Sequence, residues 1–456
     1  MQRILRLRSL SPARWLYLSR QRLPLVRNAV RHYQMGEFLK EARDHYSGTM
    51  AEVVEKIRKR TDVEIGYHVV PKSREHLLKH QPKPEQLPPR SMQDSYTTVK
   101  LPLSAELISE RYINHMGRIR IGRLMEDMDM FAVWLCHRHI KMPDLPAGVG
   151  MPYTFVTLLV DRVDFSNIEL IQVNKDIEIS GFVSFAGRTS MEITIYVRQL
   201  LDDQYLNVTK ATFLMVARNA TNTGPAPVNP IKPANEMEQR CFDEALQRQN
   251  HRKSANAESV FISQPLEHEQ ALLYSLLQRT TPPDSFDLNK RILPHNCHWM
   301  ADCQRSTVMN SFPENRNAQN TIFGGYLMRQ AVELAFIMAS IHVGGRPLLK
   351  CISDISFMRP VKVNVFLQMT AYVVYTAHDY VQLMLVAQNV DAKSGEVTTT
   401  NTFYLTYKAE NIVDEVLPGS YREMLWYIHG RRKFISALGL NLELPADKSE
   451  LESAAK

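Results

Sequence analysis

Residues 114–125 read NHMGRIRIGRLM, and residues 317–328 read NAQNTIFGGYLM. The two stretches lie 203 residues apart and share five identities in twelve positions: Asn114 with Asn317, Ile119 with Ile322, Gly122 with Gly325, Leu124 with Leu327 and Met125 with Met328. A repeat with so long a period indicates a duplicated domain rather than a solenoid of short units. The sequence therefore predicts two copies of one fold.

The flanks of each stretch predict how the two copies fold. A β-rich run lies upstream of each, at residues 92–103 and 300–312, and alternating runs such as SMEITIYVRQ and YVQLMLVAQNV lie downstream. Alternation with a period of two is typical of half-buried antiparallel strands. The repeated stretches themselves open predicted helices at residues 118–140 and 322–342. One strand, one long helix and about four further strands per half place the fold in the α+β class.

The rest of the chain divides around these two halves. The Pro-rich run TNTGPAPVNPIKPANE cannot be a core strand, and the helical stretches EMEQRCFDEALQRQNHRK and EHEQALLYSLLQR follow it, which predicts a structured linker. The stretch SYREMLWYIHGRRKF predicts a helix near the C-terminus. The predicted segments are a presequence at 1–36, an N-terminal extension at 37–91, a first domain at 92–218, the linker at 219–299, a second domain at 300–410, and a C-terminal helix and tail at 411–456.

The isoelectric point of about 9.0 comes from one end of the chain. Residues 1–36 contain eight arginines and no acidic residue, whereas the remainder carries 47 Lys and Arg against 48 Asp and Glu. An Arg-rich, Ser-containing and acid-free N-terminus without a long apolar core is typical of a mitochondrial presequence. We therefore expect a protein of the mitochondrial matrix and no nucleic-acid partner, with a basic arm on a nuclear or cytosolic protein as the alternative.

The chain has five cysteines without paired CxxC spacing, which fits a reducing compartment and not a zinc site. The run PHNCHWMADC at 294–303 holds His and Cys close together but has no second half, so we expect no metal. No stretch approaches 18 consecutive apolar residues, so we expect no membrane span.

The two predicted helices differ at one position that can carry chemistry. A stripe of the first helix contains Met125, Asp129, Ala132 and Cys136, and its counterpart in the second contains Met328, Val332, Ala335 and Ala339. A carboxylate among apolar neighbours is unfavourable unless it is paired or used. Because valine serves at the same position of the other copy, packing does not need the acid, and Asp129 becomes a candidate catalytic residue. A partly exposed aspartate in the run EDMD is the alternative.

The second helix carries a complementary feature, the pair Gly324-Gly325 at its start. Glycines there allow a ligand close to the backbone, and the free N–H groups of the first turn attract negative charge. The first half has Ile121-Gly122 at these positions. A tight strand-to-helix turn is the alternative explanation for the glycine pair.

Together these motifs resemble the acyl-CoA hydrolase family of hotdog thioesterases. That family has an Asn seven residues before a Gly-Gly pair and an acid eight residues after the first glycine; Asn317 precedes Gly324 by seven, and Asp129 follows Ile121 by eight. The resemblance covers residues 92–218 and 300–408. It implies a tandem (double) hotdog, each a long central helix wrapped by a curved antiparallel sheet. It further implies hydrolysis of acyl-CoA to free fatty, short or branched acid and CoA, no separate cofactor because CoA belongs to the substrate, and a homo-oligomer of double-hotdog protomers.

The resemblance also implies how the site is assembled. Helices of paired hotdogs lie antiparallel, so Asn317, Gly324 and Gly325 from the second half would meet Asp129 from the first. The glycine amides would then polarise the thioester carbonyl, and Asp129 would act through water as a general base or attack directly. The opposite set retains Asn114 and Gly122, with Val332 in place of the acid and Glu333 as a neighbouring one. We expect one working site, with Arg188 and Ser190 as candidate CoA-binding residues.

Two rival functions remain open at this point. An enoyl-CoA hydratase of the same fold would need a close Asp-His pair, which neither helix shows, and a degenerate hotdog could serve as a non-catalytic acyl-CoA-binding or scaffold protein. The chain has no GxSxG motif of a serine hydrolase.

Overall fold

The computed structural model describes residues 46–61, 73–165, 167–257, 259–283, 286–287, 290–317, 321–363 and 365–439. The predicted presequence at 1–36 and the polar end of the tail lie outside the described residues. The helices are α1 Met50–Thr61, α2 Glu106–Ser109, α3 Ile121–His139, α4 Glu236–Ala257, α5 Glu267–Thr280, α6 Gly324–Val343 and α7 Tyr421–Leu438. Within the described part of the chain, no helix is long and apolar enough to cross a membrane.

The strands build one large sheet and one small one. They are β1 Tyr46–Thr49, β2 Thr97–Leu101, β3 Tyr153–Val160, β4 Val163–Asp164, β5 Ile177–Ala186, β6 Ser190–Leu201, β7 Gln204–Asn219, β8 Cys297–Trp299, β9 Gln304–Asn310, β10 Leu348–Phe357, β11 Phe366–Ala377, β12 Tyr380–Val390, β13 Val397–Lys408 and β14 Glu415–Leu417. Twelve strands form the large sheet in the order β1-β2-β5-β6-β7-β3-β10-β13-β12-β11-β9, with β4 on β10, and β8 pairs with β14. Pairing in the large sheet is antiparallel except between β1 and β2. The predicted α+β class is confirmed.

The two halves have the same strand order. In the first half the order is β2-β5-β6-β7-β3, with α3 between β2 and β3; in the second it is β9-β11-β12-β13-β10, with α6 between β9 and β10. The sheets join where β3 meets β10, with Val160 opposite Ile355 and Leu159 opposite Ser356. The repeat in the sequence is therefore a repeat in topology, and the join between the sheets is a feature that the sequence pattern did not predict.

The two long helices confirm the helix predictions, with starts two to three residues later than expected. In α3, Leu124, Met128, Phe131 and Leu135 are completely buried, as their spacing predicts for a core face. The helix α6 ends at Gly344, whose φ of 61° is the left-handed conformation that favours glycine at this position. These helices pack against the sheet and against each other.

Glycines set the close contact between α3 and α6. A Cβ atom on Gly122 would lie 3.0 Å from the carbonyl oxygen of Arg329, and one on Gly325 would lie 2.9 Å from the Cα of Glu126. The first turn of each helix thus faces the second turn of the other helix. The two helices are therefore antiparallel and related by an approximate two-fold axis. The glycine that both halves share therefore has a packing reason, because a larger residue would push the helices apart.

The predicted linker helices are confirmed as α4 and α5, and ion pairs attach α4 to the first half. The carboxylate of Glu192 is buried on β6 and accepts hydrogen bonds from Arg248 at 2.6 Å and from Arg252 at 2.8 Å. Charge-assisted bonds of this kind are shorter and stronger than neutral ones. The linker is therefore a folded part of the structure.

Candidate active site

A cavity of about 990 Å³ lies where the two halves meet. Its walls come from α1, α3 and β3 on the first-half side, and from residues 313–317, 321–324 and 357–361 on the second-half side. A pocket of this size, with apolar walls and a few polar groups, suits a small molecule.

Asp129 lies directly behind this cavity. Its carboxylate is completely buried, and its Oδ1 accepts a 2.7 Å hydrogen bond from the Thr157 hydroxyl while its Oδ2 accepts one of 2.7 Å from the Gly325 amide. A Cβ atom on Gly324 would lie 3.2 Å from the same Oδ2. Thr157 and Gly324 both line the cavity. The structure thus brings the first-half acid and the second-half glycines together.

Burial controls the protonation of this acid. Removal from water raises the pKa of Asp129 to about 6, and the nearby Glu126 carboxylate adds to that rise, whereas the hydrogen bonds from Thr157 and Gly325 oppose it. A carboxyl group with a pKa near 6 is ionised at neutral pH and is more basic than an ordinary aspartate. It is suited to taking a proton from water.

Asn317 lines the cavity beside the glycines and also closes a turn. Its Oδ1 accepts from the Thr321 amide at 3.2 Å and from the Thr321 hydroxyl at 3.0 Å. Asn114 makes the equivalent turn, with its Oδ1 accepting from the Arg118 amide at 3.1 Å. The asparagine that both halves share therefore holds the loop before each long helix.

The position in the second half that corresponds to Asp129 has no acidic residue. The strands that join the two halves pair around an approximate two-fold axis, with Val160 opposite Ile355 and Val163 opposite Ile352. This relation exchanges Val160 with Ile352, and therefore Thr157 with Leu349, three residues earlier in each strand. Val332 stands where Asp129 stands in the first half, so the second half lacks both the carboxylate and the hydroxyl of this pair.

Glu333, the neighbouring acid, is engaged elsewhere. Arg120 donates to its Oε1 from Nε at 2.7 Å, and the second guanidinium nitrogen lies 2.6 Å from the same oxygen. Arg120 occupies the N-cap of α3, which corresponds to Phe323 before α6. The ion pair between Arg120 and Glu333 therefore occupies the space at the start of α3. At the start of α6 the corresponding space is the cavity, which Gly324 lines.

The predicted CoA-binding residues lie outside the cavity walls. Arg188 is exposed in the turn between β5 and β6, and Ser190 begins β6, and neither is among the described residues that line the cavity. Four other arginines do line it: Arg58, Arg218, Arg316 and Arg359.

Thr157, the four arginines and α1 were not predicted from the sequence as parts of the site. No motif marks them, since each reaches the cavity only through the pairing of strands and halves. Among these residues, Arg316 alone could have been suspected from the sequence, because it is a charged residue next to Asn317.

The His- and Cys-containing run at 294–303 is not gathered around one point. The Cys303 thiol lies 3.7 Å from His342 Nδ1, and the Cys297 thiol lies 3.9 Å from Glu415. In the part of the chain that the structure describes, no three His, Cys, Asp or Glu side chains are arranged to hold a metal ion.

Comparison with known proteins identifies the family. Human acyl-coenzyme A thioesterase 9, mitochondrial, is 35% identical over 354 residues, which cover 77% of this chain and 80% of the human protein. The chain belongs to the acyl-CoA thioesterase family. Acyl-coenzyme A thioesterase 2, chloroplastic, from Humulus lupulus is 30% identical over 347 residues, covering 72% of this chain and 76% of the plant protein. No protein-family model matches the chain.

Both halves of this acyl-CoA thioesterase take part in the match, because a match over 77% of the chain must include residues of both predicted domains. Among solved structures, an acyl-CoA hydrolase from Staphylococcus aureus in complex with butyryl coenzyme A, coenzyme A and coenzyme A disulfide is 24% identical, with a TM-score of 0.29 over 35% of this chain and 99% of that chain. This overlap is too partial to add to the family assignment, which rests on the sequence relatives.

Proposed function

We propose that this thioesterase hydrolyses acyl-CoA to a free acid and CoA at a single site between its two halves. The observation that carries the proposal is the contact between Asp129 of the first half and the start of α6 in the second. An acid, a helix N-terminus and a cavity meet there, and each has a role in cleaving a thioester.

The architecture that fits this site is a tandem hotdog. The support is the shared strand order of the halves, the single long helix in each, and the antiparallel contact of α3 with α6 at Gly122 and Gly325. Such an arrangement places the start of one helix beside the middle of the other, so that a site can draw on both halves.

Asp129 is proposed as the general base. A carboxylate has about four lone-pair sites, and the bonds from Thr157 and Gly325 use two of them. A water molecule in the cavity can donate to a remaining site, lose its proton to Asp129 as it attacks the carbonyl carbon, and release the CoA thiolate. The described lining of the cavity includes Thr157 and Gly324 but not Asp129, so attack through a water molecule is favoured over direct attack by Asp129.

The two glycines divide their roles in this mechanism. The Gly325 amide is bound to Asp129 and fixes the base. The Gly324 amide, as the first of the helix, has no acceptor within α6 and is proposed to donate to the carbonyl oxygen as negative charge develops. Asn317 holds the loop that leads to Gly324 and presents its side chain to the same cavity.

The phosphates of CoA are proposed to meet arginines of the second half. Arg316 and Arg359 line the cavity on the side of Asn317 and Gly324. Guanidinium groups bind phosphate through paired hydrogen bonds. These two residues replace Arg188 and Ser190 as the preferred candidates, because the latter lie outside the cavity walls.

The proposal of one site per chain rests on the asymmetry between the halves. Val332 stands in place of the acid, Leu349 stands in place of Thr157, and Arg120 binds Glu333. Asn114 and Gly122 then keep the turn and the helix contact, which are structural roles.

Location and assembly are proposed on different grounds. Relatives from human, cattle and mouse at 34–35% identity are mitochondrial thioesterases, which supports a mitochondrial location. The eight arginines of residues 1–36 favour the matrix. We further propose that the enzyme needs no cofactor beyond the CoA of its substrate and assembles as a homo-oligomer.

The test is release of free CoA thiol from a panel of acyl-CoA thioesters, with protein that begins at residue 37. We expect turnover by the wild type, and a fall in that turnover of roughly 10²–10⁴ in Asp129→Asn. A protein that binds acyl-CoA with equal affinity in both forms and releases no thiol would be a binding or scaffold protein instead.

A further inference from the structure

We propose that α1 of the N-terminal extension and one stripe of α3 form the acyl-chain channel, and that this channel ends at His137 and limits the enzyme to short and medium acyl chains. The inference deepens the proposed function and rests on it.

The stripe on α3 consists of Glu126, Met130, Val133 and His137, spaced four, three and four residues apart. Such spacing puts the four side chains on one face of the helix. Met130 and Val133 are only half-buried, although α3 is otherwise a core helix. The stripe begins next to Asp129 and leads away from it along the cavity.

The opposite wall comes from α1, where Val54 and Ile57 line the cavity. The extension is attached firmly to the first half: β1 pairs with β2, and Arg60 donates a 2.9 Å hydrogen bond to the carbonyl of His137. Apolar side chains therefore face each other across the cavity over the length of Met130 and Val133. This is the environment that an alkyl chain needs.

The lining changes character at His137. Its ring is buried and packs edge-on against Phe155, with ring centres 4.8 Å apart. Burial, together with Arg60 and Arg74, lowers the pKa of His137 to about 3, so the ring is neutral. Its Nδ1 has no hydrogen-bonding partner among the described residues. Thr61 and Thr154 also line the cavity, and the buried ring of His137 is taken as the end of the channel.

The helix geometry gives the length of the channel. His137 lies eight residues beyond Asp129, which is about 12 Å along a helix. An extended chain advances roughly 1.3 Å per carbon, because bonds of about 1.5 Å zigzag. Roughly nine carbons beyond the carbonyl therefore fit, which corresponds to octanoyl- or decanoyl-CoA. Palmitoyl-CoA is too long for the channel.

The experiment compares kcat/KM for butyryl-, octanoyl- and palmitoyl-CoA in the wild type and in variants that narrow the channel from each wall. Val133→Trp and Ile57→Trp are each expected to lower octanoyl-CoA hydrolysis by roughly tenfold or more, since a misfit of one or two methylenes has effects of this size. Both should leave butyryl-CoA hydrolysis within a few-fold. His137→Ala should raise palmitoyl-CoA hydrolysis relative to octanoyl-CoA.

Ile337→Trp is the matched control. It makes the same kind of change on α6, at a side chain that is 51% exposed and is not among the described residues lining the cavity, so the ratio of octanoyl- to butyryl-CoA hydrolysis should not change. An unchanged ratio in both channel variants would overturn the inference. So would an equal loss for butyryl- and octanoyl-CoA in variants that retain the wild-type melting temperature.

A binding measurement separates this inference from the proposed function. Calorimetry of the same acyl-CoAs with Asp129→Asn protein should show octanoyl-CoA affinity that falls on adding Val133→Trp. If the wild type hydrolyses nothing but this binding pattern holds, the hydrolase proposal fails and the channel stands. If hydrolysis is observed and affinity does not depend on the channel variants, the channel fails alone.

Discussion

The amide of Gly325 donates a 2.7 Å hydrogen bond to Oδ2 of Asp129, across the contact between the two halves of the chain. Gly325 is also the residue whose missing side chain lets α6 approach α3, since a Cβ atom there would lie 2.9 Å from Glu126. One glycine thus positions the base and permits the helix contact that brings the base to the site.

The pH dependence of turnover should report the ionisation of Asp129. Burial raises its pKa to about 6, and a general base acts only when it is deprotonated. We expect kcat/KM to fall with the ionised fraction as the pH drops below about 6, and to level off above it. A pH-rate profile of the free enzyme measures this. A profile still flat at pH values near the ordinary pKa of 3.8 would exclude Asp129 as the base.

The free energy of unfolding should fall as the pH rises, whereas turnover should increase. A carboxyl group whose pKa is raised on folding contributes most stability below its unfolded pKa, 3.8 here, and loses it as the pH rises through about 6. The difference is about 3 kcal/mol at most. Asp129→Asn should remove this pH dependence, which urea unfolding at several pH values would show.

Three glycine-to-alanine variants should separate packing from catalysis. Gly122→Ala and Gly325→Ala both press against the neighbouring helix backbone, and each is expected to lower the free energy of unfolding by roughly 1–3 kcal/mol. Gly324→Ala places its Cβ 3.2 Å from Asp129 Oδ2 and 3.3 Å from the Phe357 ring, so turnover should fall more than stability. Denaturant unfolding and kcat measure the two effects. Full activity in Gly324→Ala would remove that amide from the site.

The sequence predicted the parts of the fold that are local and repeated. The spacing of Leu124, Met128, Phe131 and Leu135 gave the buried face of α3, and the paired NHMGRIRIGRLM and NAQNTIFGGYLM stretches gave the duplication. Thr157 could not be found in this way, because its contact with Asp129 depends on the placement of β3 against α3. The wall formed by α1 depends likewise on an extension that carries no repeated pattern.

The number of sites should be one per chain. Titration with a non-hydrolysable acyl-CoA analogue is expected to show one tight site, because Val332 replaces the acid in the other half and Arg120 binds Glu333. Isothermal calorimetry measures the stoichiometry directly. Two equivalent sites that both support turnover would contradict the assignment of Asn114 and Gly122 to structural roles.

Residues 1–36 should direct a passenger protein to mitochondria. Their eight arginines and lack of acidic residues are the basis for this expectation. Fusion to a fluorescent protein tests it, with a second fusion in which four arginines are changed to glutamate as the control. A diffuse or nuclear signal from the first fusion would contradict the prediction.

The central claim is that Asp129, and not Glu333, is the base. Asp129→Asn keeps the size of the side chain and removes the proton acceptor, whereas Glu333→Gln removes an acid that Arg120 already binds. The two substitutions are chemically matched and lie on corresponding helices, one residue out of register.

The most direct test is kcat for these two variants, together with the affinity of each for a non-hydrolysable acyl-CoA analogue. We expect Asp129→Asn to lower kcat by roughly 10²–10⁴, the range for a positioned general base, with analogue affinity retained. Glu333→Gln should keep most of the wild-type kcat. The reverse result, with Glu333→Gln inactive and Asp129→Asn active, would show that the halves supply the opposite set of residues. Full activity in both variants would exclude Asp129 and Glu333 as the base.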